Sequence, residues 1–420
     1  MKSYYTEVKP IPTTRYCGSR PRCHFLWLSV LCLLGLLPEP SHANAARAQA
    51  APQTPIPGQP TPGTPIPVQP APPLPTPPVP APEDTFPFPL EVAWTTPLGG
   101  AIAVPPVYDD ERAYLGLRNG KVAAVSLTDG MPVWEFEDAE GPTALSVGAN
   151  HLVITRGLRL EARNAASGVS LWHRELEAPI ACPPVVVAGW VLVSLENTSI
   201  LALQADSGNE VWSIRLPTTV NSSPTVVGNR VYVGLVNGVV TALDIETGNA
   251  HWTREFGGAL GPMLPLDNKL YVGAKDNFFY CLNERDGRVL WRWRTGADII
   301  GIATADDERI YFVSLDNLLR AVSRANGNQR WKRALPSRAT GGPLLIGERL
   351  IAAGVTPILH GYNARDGRLA ARFGVPTESV LAAAPHLVGE STSSNPLIIV
   401  PLGDGTLVAV RAQPEAPPPL

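Results

Sequence analysis

Reactive residue types are scarce in this chain of 420 residues. Of its five cysteines, Cys17, Cys23 and Cys32 fall within the first 50 residues, leaving only Cys182 and Cys281 beyond them. Two cysteines cannot staple a disulfide scaffold, and no Cys-x-x-Cys pair is present for zinc or thiol exchange. The seven histidines (His24, His42, His151, His173, His251, His360 and His386) stand singly, with no second histidine or glutamate at ligand spacing. A locally encoded zinc centre is thereby excluded. Gly-x-Ser-x-Gly and phosphate-loop motifs are absent too. Charge is thin, at 17% of residues, and the formal net charge is −3. Residues 1–50 hold six of the basic and two of the acidic residues, which leaves 28 basic against 35 acidic. A mildly acidic body argues against a nucleic-acid or anionic-membrane footprint.

Nor is there a convincing membrane span. The apolar run at 25–37 is too short to cross a bilayer comfortably. It follows the basic residues Lys2, Lys9, Arg15, Arg20 and Arg22 and precedes two small-residue sites, Ala43-Asn44-Ala45 and Ala48-Gln49-Ala50. Basic, apolar and small in that order read as an export signal over 1–50, with a retained anchor as the alternative. Leu31 stands before Cys32 where a lipobox needs a small residue, and Arg20-Pro21-Arg22 is not a twin-arginine pair.

Proline is what the sequence has in excess, with 45 residues, and most of that excess lies in 51–89. Such a stretch cannot bury a core, so it is predicted to be an extended polyproline spacer. Residues 413–420 read as a tail. Between them, 90–412 alternates short Val, Ile, Leu and Tyr runs with Gly, Asn and Asp, which is the pattern of strands and tight turns.

Those runs repeat. Gly130 precedes Trp134 by four residues, and the spacing recurs at Gly168 and Trp172, Gly208 and Trp212, Gly248 and Trp252, Gly287 and Trp291, and Gly327 and Trp331. Gly367 is a seventh copy, but Ala371 stands where its Trp should be. One unit runs Thr225-Val226-Val227, Arg230-Val231-Tyr232-Val233-Gly234, Val239-Val240-Thr241-Ala242-Leu243-Asp244, then Thr247-Gly248 to Trp252. That makes four strands and three turns in about forty residues, the size of a propeller blade. The last unit holds three strands, ending at 406–410, and residues 91–95 around Trp94 are a fourth strand without its first three. Joining the two predicts an all-β, eight-bladed propeller closed by its N-terminal strand, with no free sheet edge.

The run Ala-Leu-Asp-x-x-Thr-Gly-x-x-x-Trp at 242–252 resembles the pyrroloquinoline-quinone (PQQ) type repeat of quinoprotein β-propellers, over roughly 90–411. The resemblance implies that Trp94, Trp134, Trp172, Trp212, Trp252, Trp291 and Trp331 are structural, docking between neighbouring blades. It also opens two branches, PQQ-dependent dehydrogenases and non-enzymatic scaffolds of the BamB type. A PQQ enzyme needs several cationic donors and oxygen ligands for calcium at the channel mouth. Family members of the alcohol-dehydrogenase kind also carry an adjacent cysteine pair, which this chain lacks. Around the starts of the inner strands the charges are Asp298 and Arg338 alone. Near-minimal blades point the same way. No catalytic, cofactor-binding or metal residue is therefore assigned, and the balance lies against an enzyme.

The expectation is an exported, monomeric scaffold that binds protein partners in the cell envelope, at most peripheral to the membrane and without nucleic acid. The alternatives are a PQQ and calcium oxidoreductase and a ligand-sensing ectodomain. The candidate partner face consists of Ile102, Ile180, Leu260, Ile299, Ile300 and Arg338, read as loop residues at a ring mouth. Arg292 and Arg294 beside Trp293 form a second candidate rim, and the acidic runs 109–112 and 306–308 are candidate calcium turns.

Overall fold

The computed structural model describes residues 90–388 and 396–413. The predicted export signal and spacer and nearly all of the predicted tail lie outside the described residues. The described residues form eight four-stranded antiparallel sheets and no helix. Each sheet is one blade, with strands a to d running from the inside outward. Blades one to seven occupy 102–137, 144–175, 185–215, 225–255, 260–294, 299–334 and 344–374. Blade eight takes its a to c strands from His386–Val388, Leu397–Pro401 and Thr406–Ala412 and its d strand from Leu90–Pro97.

That d strand closes the ring. It pairs antiparallel with Thr406–Ala412 from Leu90 opposite Ala412 to Pro97 opposite Thr406. A bulge between Val92 and Trp94 shifts the register. On one side of it, Leu90 and Val92 pack towards blade seven; on the other, Ala93 and Trp94 pack towards blade one. The first and last blades also meet at their inner strands, where the Tyr108 and His386 rings stack with centroids 4.0 Å apart.

A four-stranded sheet with two apolar faces cannot be stable alone. The core accordingly consists of eight clusters, each built from two neighbouring blades, including the pair formed by blades eight and one. The middle strands carry it. Val191, Val231, Leu270 and Ile310 in the b strands and Ala202, Val240, Leu282 and Ala321 in the c strands are fully buried.

The repeat motif has a physical reason at each of its positions. Asp244 ends the c strand of blade four, and its Oδ1 accepts the N–H groups of Glu246 and Thr247 and the Thr247 hydroxyl. This knits the c–d turn. Gly248 then adopts φ +72°, and a Cβ there would stand 2.9 Å from Cδ2 of Trp212 in the preceding blade. Glycine thus supplies both the backbone conformation and a bare surface for an indole. Trp252, four residues on, projects to blade five and donates Nε1–H to the Glu284 carbonyl. The same indole-to-turn bond recurs around the ring: Trp94 to Leu127, Trp134 to Ala165, Trp172 to Ala205, Trp212 to Ile245, Trp291 to Arg324 and Trp331 to Ala364. Each indole closes one blade interface with apolar area and one hydrogen bond.

Seven indoles serve eight interfaces, and the missing one is informative. Ala371 would face the c–d turn of blade eight. That turn does not exist as a chain segment, because the c strand of blade eight ends at Ala412 and its d strand begins at Leu90. An indole at 371 would have neither a turn carbonyl to meet nor a glycine to lie on.

Candidate functional site

Antiparallel strands fix which connections share a face of the ring. The b–c turns and the d–a connections lie on one face, and the a–b and c–d turns lie on the other. On the first face, the leading residue of the b–c turn donates its backbone N–H to the d–a connection of the same blade. Glu196 donates to Pro179 at 2.9 Å, Val236 to Thr219 at 3.0 Å, Leu315 to Asp298 at 2.8 Å and Val355 to Arg338 at 3.1 Å. With the backbone held, the side chain projects into solvent.

Around the ring these leading residues are Arg118, Glu196, Val236, Lys275, Leu315, Val355 and Gly403; blade two has a two-residue turn, Gly157-Leu158, in which the Leu158 carbonyl instead accepts the Leu176 N–H. Blades one, three and five present charge. Blades six to eight present aliphatic side chains: Leu315 is 43% exposed, Val355 48%, and Val380, in the connection into blade eight, 59%. Ile302, 47% exposed, joins them from the inner strand of blade six, Ile299–Ala305. Its register breaks between Ile300 and Thr304, and Gly301 takes φ +64°, so Ile302 leaves the ladder. Its carbonyl lies against the backbone of Gly342 in the next connection. Leu158 in blade two and Val236 in blade four are exposed to a similar degree on the same face, 44% and 50%, and blades six to eight carry the densest run of such side chains.

The sequence reading took six residues for loop positions at a ring mouth, and most of them are placed differently. Ile102 is buried in strand a of blade one, in the core shared with blade eight. Leu260 is fully buried in the core of blades four and five. Ile299 and Ile300 are half-buried on opposite faces of one strand, one towards blade five and the other towards blade seven. Ile180 is half-buried and bridges to Leu195. The correction has a simple cause: the inner strands of blades one, five and six are seven residues long, so positions taken for loops are strand. Arg338 alone of the six is exposed, in the connection that holds the Val355 N–H. Leu315, Val355 and Val380 were legible only as apolar residues at turn positions that favour polar ones.

The remaining candidates for chemistry are occupied by structure. Asp109 Oδ1 accepts the Glu111 and Arg112 N–H groups, and its Oδ2 accepts the Tyr114 hydroxyl at 2.5 Å. Asp306 repeats this with Glu308, Arg309 and Tyr311. Burial pushes the Asp306 carboxyl up, but these hydrogen bonds and the Arg309 guanidinium together hold it below the usual carboxylate range. Both acidic runs are thus capped turns on the opposite face. In blade two, Glu161 and Arg156 form a buried ion pair at 3.0 Å, and the Arg163 guanidinium lies 3.6 Å from the Phe136 ring centroid. Arg292 covers the Phe278 ring at 4.7 Å. A groove of about 830 Å³ beside Lys269, Asp307, Arg309 and Arg330 mixes both signs of charge. Cys182 and Cys281 are free and buried, and burial pushes the Cys281 thiol up to about 11.

The residues at the ring mouth do not fit PQQ. Among the described residues, the candidate charges at the inner-strand starts are one half-buried carboxylate, Asp298, and one exposed guanidinium, Arg338, too few to hold three carboxylates. Among the described residues, no group of three or more His, Cys, Asp or Glu is placed to hold a metal ion.

With this geometry in view, comparison with known proteins is direct. Residues 91–179, 156–266 and 255–414 match the family described as outer membrane protein assembly factor BamB. A curated relative from Taylorella asinigenitalis, named outer membrane protein assembly factor BamB, is 24% identical over 155 residues. That match spans 36% of this chain and 38% of the relative. The crystal structure of BamB from Moraxella catarrhalis superimposes with a TM-score of 0.65 at 20% identity, covering 77% of this chain and all of that one. Quinohemoprotein alcohol dehydrogenase from Comamonas testosteroni gives 0.62 at 15% identity, covering 79% and 78%. At these identities the two structures share the fold and carry nothing further.

Proposed function

The chain belongs to the outer membrane protein assembly factor BamB family, and from that premise we propose that it is an exported, non-enzymatic scaffold that binds a protein partner in the cell envelope. The observation that carries this reading is the run of exposed aliphatic side chains Ile302, Leu315, Val355 and Val380 on one face of blades six to eight. A rigid closed ring holds these turns in fixed positions without ordering cost on binding. Arg338 stands among them, and arginine beside aliphatic anchors is the composition of a protein interface. The partner is an envelope protein that offers an apolar segment to this face, in the manner of a membrane-embedded assembly factor. The basic, apolar and small-residue order of 1–50 supports export, and the Pro-rich 51–89 supports a spacer between the ring and the place where its N-terminus is held. The ring works as a monomer and needs neither PQQ nor metal.

The test replaces Leu315 and Val355 with Asp together and measures partner recovery after cross-linking in intact envelopes. Neither residue belongs to the core, so thermal unfolding stays near that of the parent. Recovery falls on the order of tenfold, the scale of one lost hot spot. Unchanged recovery with a folded ring refutes this face as the interface.

A further inference from the structure

Between blades seven and eight, where an eighth indole would lie, the ring contains a cavity of about 220 Å³. Its walls include Leu90, Ile351, Leu359, Gly361, Ala371 and Phe373. Three positions of the repeat make this space. In blades four and six the b strand supplies a tyrosine and the d strand a tryptophan, and the two converge on one carbonyl of the next blade. Tyr232 and Trp252 meet at Glu284, and Tyr311 and Trp331 meet at Ala364. Opposite each tryptophan in the c–d ladder stands an alanine of the same blade, Ala242 and Ala321. Blade seven has Ile351 at the tyrosine position, Ala371 at the tryptophan position and Gly361 opposite it. All three are smaller than their counterparts, so nothing within the blade compensates for the lost indole. In a core packed as densely as protein interiors are, a void of this size forfeits the contacts of every atom that lines it.

We infer that this cavity is a binding site for a free, neutral aromatic molecule of one or two fused rings. Size sets the class. A cavity of roughly 150 Å³ lined by aliphatic side chains accepts benzene, and about 220 Å³ leaves room for a second fused ring. It is smaller than the roughly 300 Å³ at which drug-sized pockets begin. Shape agrees, because the equivalent space at the other interfaces holds a flat indole. Polarity sets the charge. The six wall residues above are all apolar, and Arg372, which also borders the cavity, stands opposite His360 in the ladder. Its side chain therefore shares the blade-six face of the sheet with His360 and Tyr362. A charged group, or the peptide amides that a partner's side chain would bring with it, would lose water here without gaining a hydrogen bond. The bound molecule supplies what Tyr311 and Trp331 supply one blade earlier. It joins blade seven to the blade that holds both ends of the ring, so occupancy tightens the closing seam.

The test titrates the purified full chain with indole and follows binding by calorimetry. One indole binds per chain, and at roughly ten times its Kd it raises the melting temperature by about 2 °C. Ala371→Trp fills the cavity from the d strand and Ile351→Phe fills it from the b strand, and in each variant indole binding weakens by about tenfold or more. Indole-3-acetate puts a charge on the same ring, and a tripeptide with a central tryptophan puts the ring on a backbone. Both bind about tenfold more weakly than indole. No binding to the parent, undiminished binding in either folded variant, or a charged or peptide-borne ring that binds as tightly as indole overturns the inference. If neither variant folds, diffraction from parent crystals grown with 5-bromoindole decides the matter. Anomalous scattering places the bromine between Leu90 and Ala371 if the inference holds, and elsewhere or nowhere if it fails.

Discussion

Replacing Trp331 with alanine isolates what one indole contributes to the ring. Trp331 is 7% exposed, stacks over Gly367 of the next blade and donates Nε1–H to Ala364 at 3.0 Å. Deleting a buried tryptophan side chain costs roughly 3–5 kcal/mol in transfer and cavity terms. The lost hydrogen bond adds little, because the Tyr311 hydroxyl still reaches the Ala364 carbonyl at 3.0 Å and so no acceptor is orphaned. Gly367 cannot move into the gap, since its φ of +72° is set by the turn. Against a total stability of about 5–15 kcal/mol, this is a large fraction from one side chain. Urea unfolding followed by circular dichroism reads it directly. With a slope near 3 kcal/mol/M, the midpoint falls by about 1–1.7 M at unchanged slope. Trp331→Phe recovers part of the loss, because it restores the stacked ring without the donor. A loss under about 1 kcal/mol for Trp331→Ala would refute the view that indoles hold the blades together.

Deleting residues 90–96 removes the d strand of blade eight and bares the edge of Thr406–Ala412. The product is expected to aggregate or to be cut rapidly by protease, whereas a deletion as stable as the parent contradicts ring closure. Asp316 gives a pH signature. Burial pushes its carboxyl up, but the Arg320 guanidinium and the Ser314 hydroxyl dominate together and hold it at about 2. Its folded pKa is below the unfolded value of about 3.9. The stabilisation is therefore complete above pH about 4 and is lost as pH falls towards 2. Asp316→Asn should destabilise the ring at pH 7 by about 1–2 kcal/mol after allowance for solvent screening, and should flatten the dependence on pH between 4 and 2. Equal slopes in that window for parent and variant would contradict the pairing. Burial also pushes the His386 ring down beneath Tyr108. The seam is accordingly expected to weaken as pH falls below about 6.5, which His386→Phe should abolish in a melting series.

The ring was legible because its punctuation is chemical. A glycine at positive φ and an indole four residues later recur in phase, and the orphan Trp94 strand at one end completes the three strands at the other. The candidate face was read from residues taken for loops, and the structure places most of those residues in strands or half-buried positions. Ile102, Leu260 and Ile299 sit where blades with short inner strands have loops, and nothing in the local sequence marks the bulges that extend those strands. Leu315 and Val355 follow strands whose interiors are apolar, Ile310 to Val313 and Leu350 to Ala353, so the step from buried to exposed is invisible without the turn geometry. The Arg156 and Glu161 pair in blade two was missed for the opposite reason. Charged residues in a strand read as solvent-facing, while here each is buried by the other's presence.

Site-specific photo-crosslinking in intact envelopes tests the binding face most directly. A photoreactive residue is placed in turn at position 355, among the exposed aliphatic residues of blades six to eight, and at position 246, on an exposed c–d turn of the opposite face. Adducts to a discrete envelope protein from position 355 and none from position 246 are the predicted result. Equal labelling from both positions, or labelling from position 246 alone, would contradict the assignment of this face as the scaffold's interface.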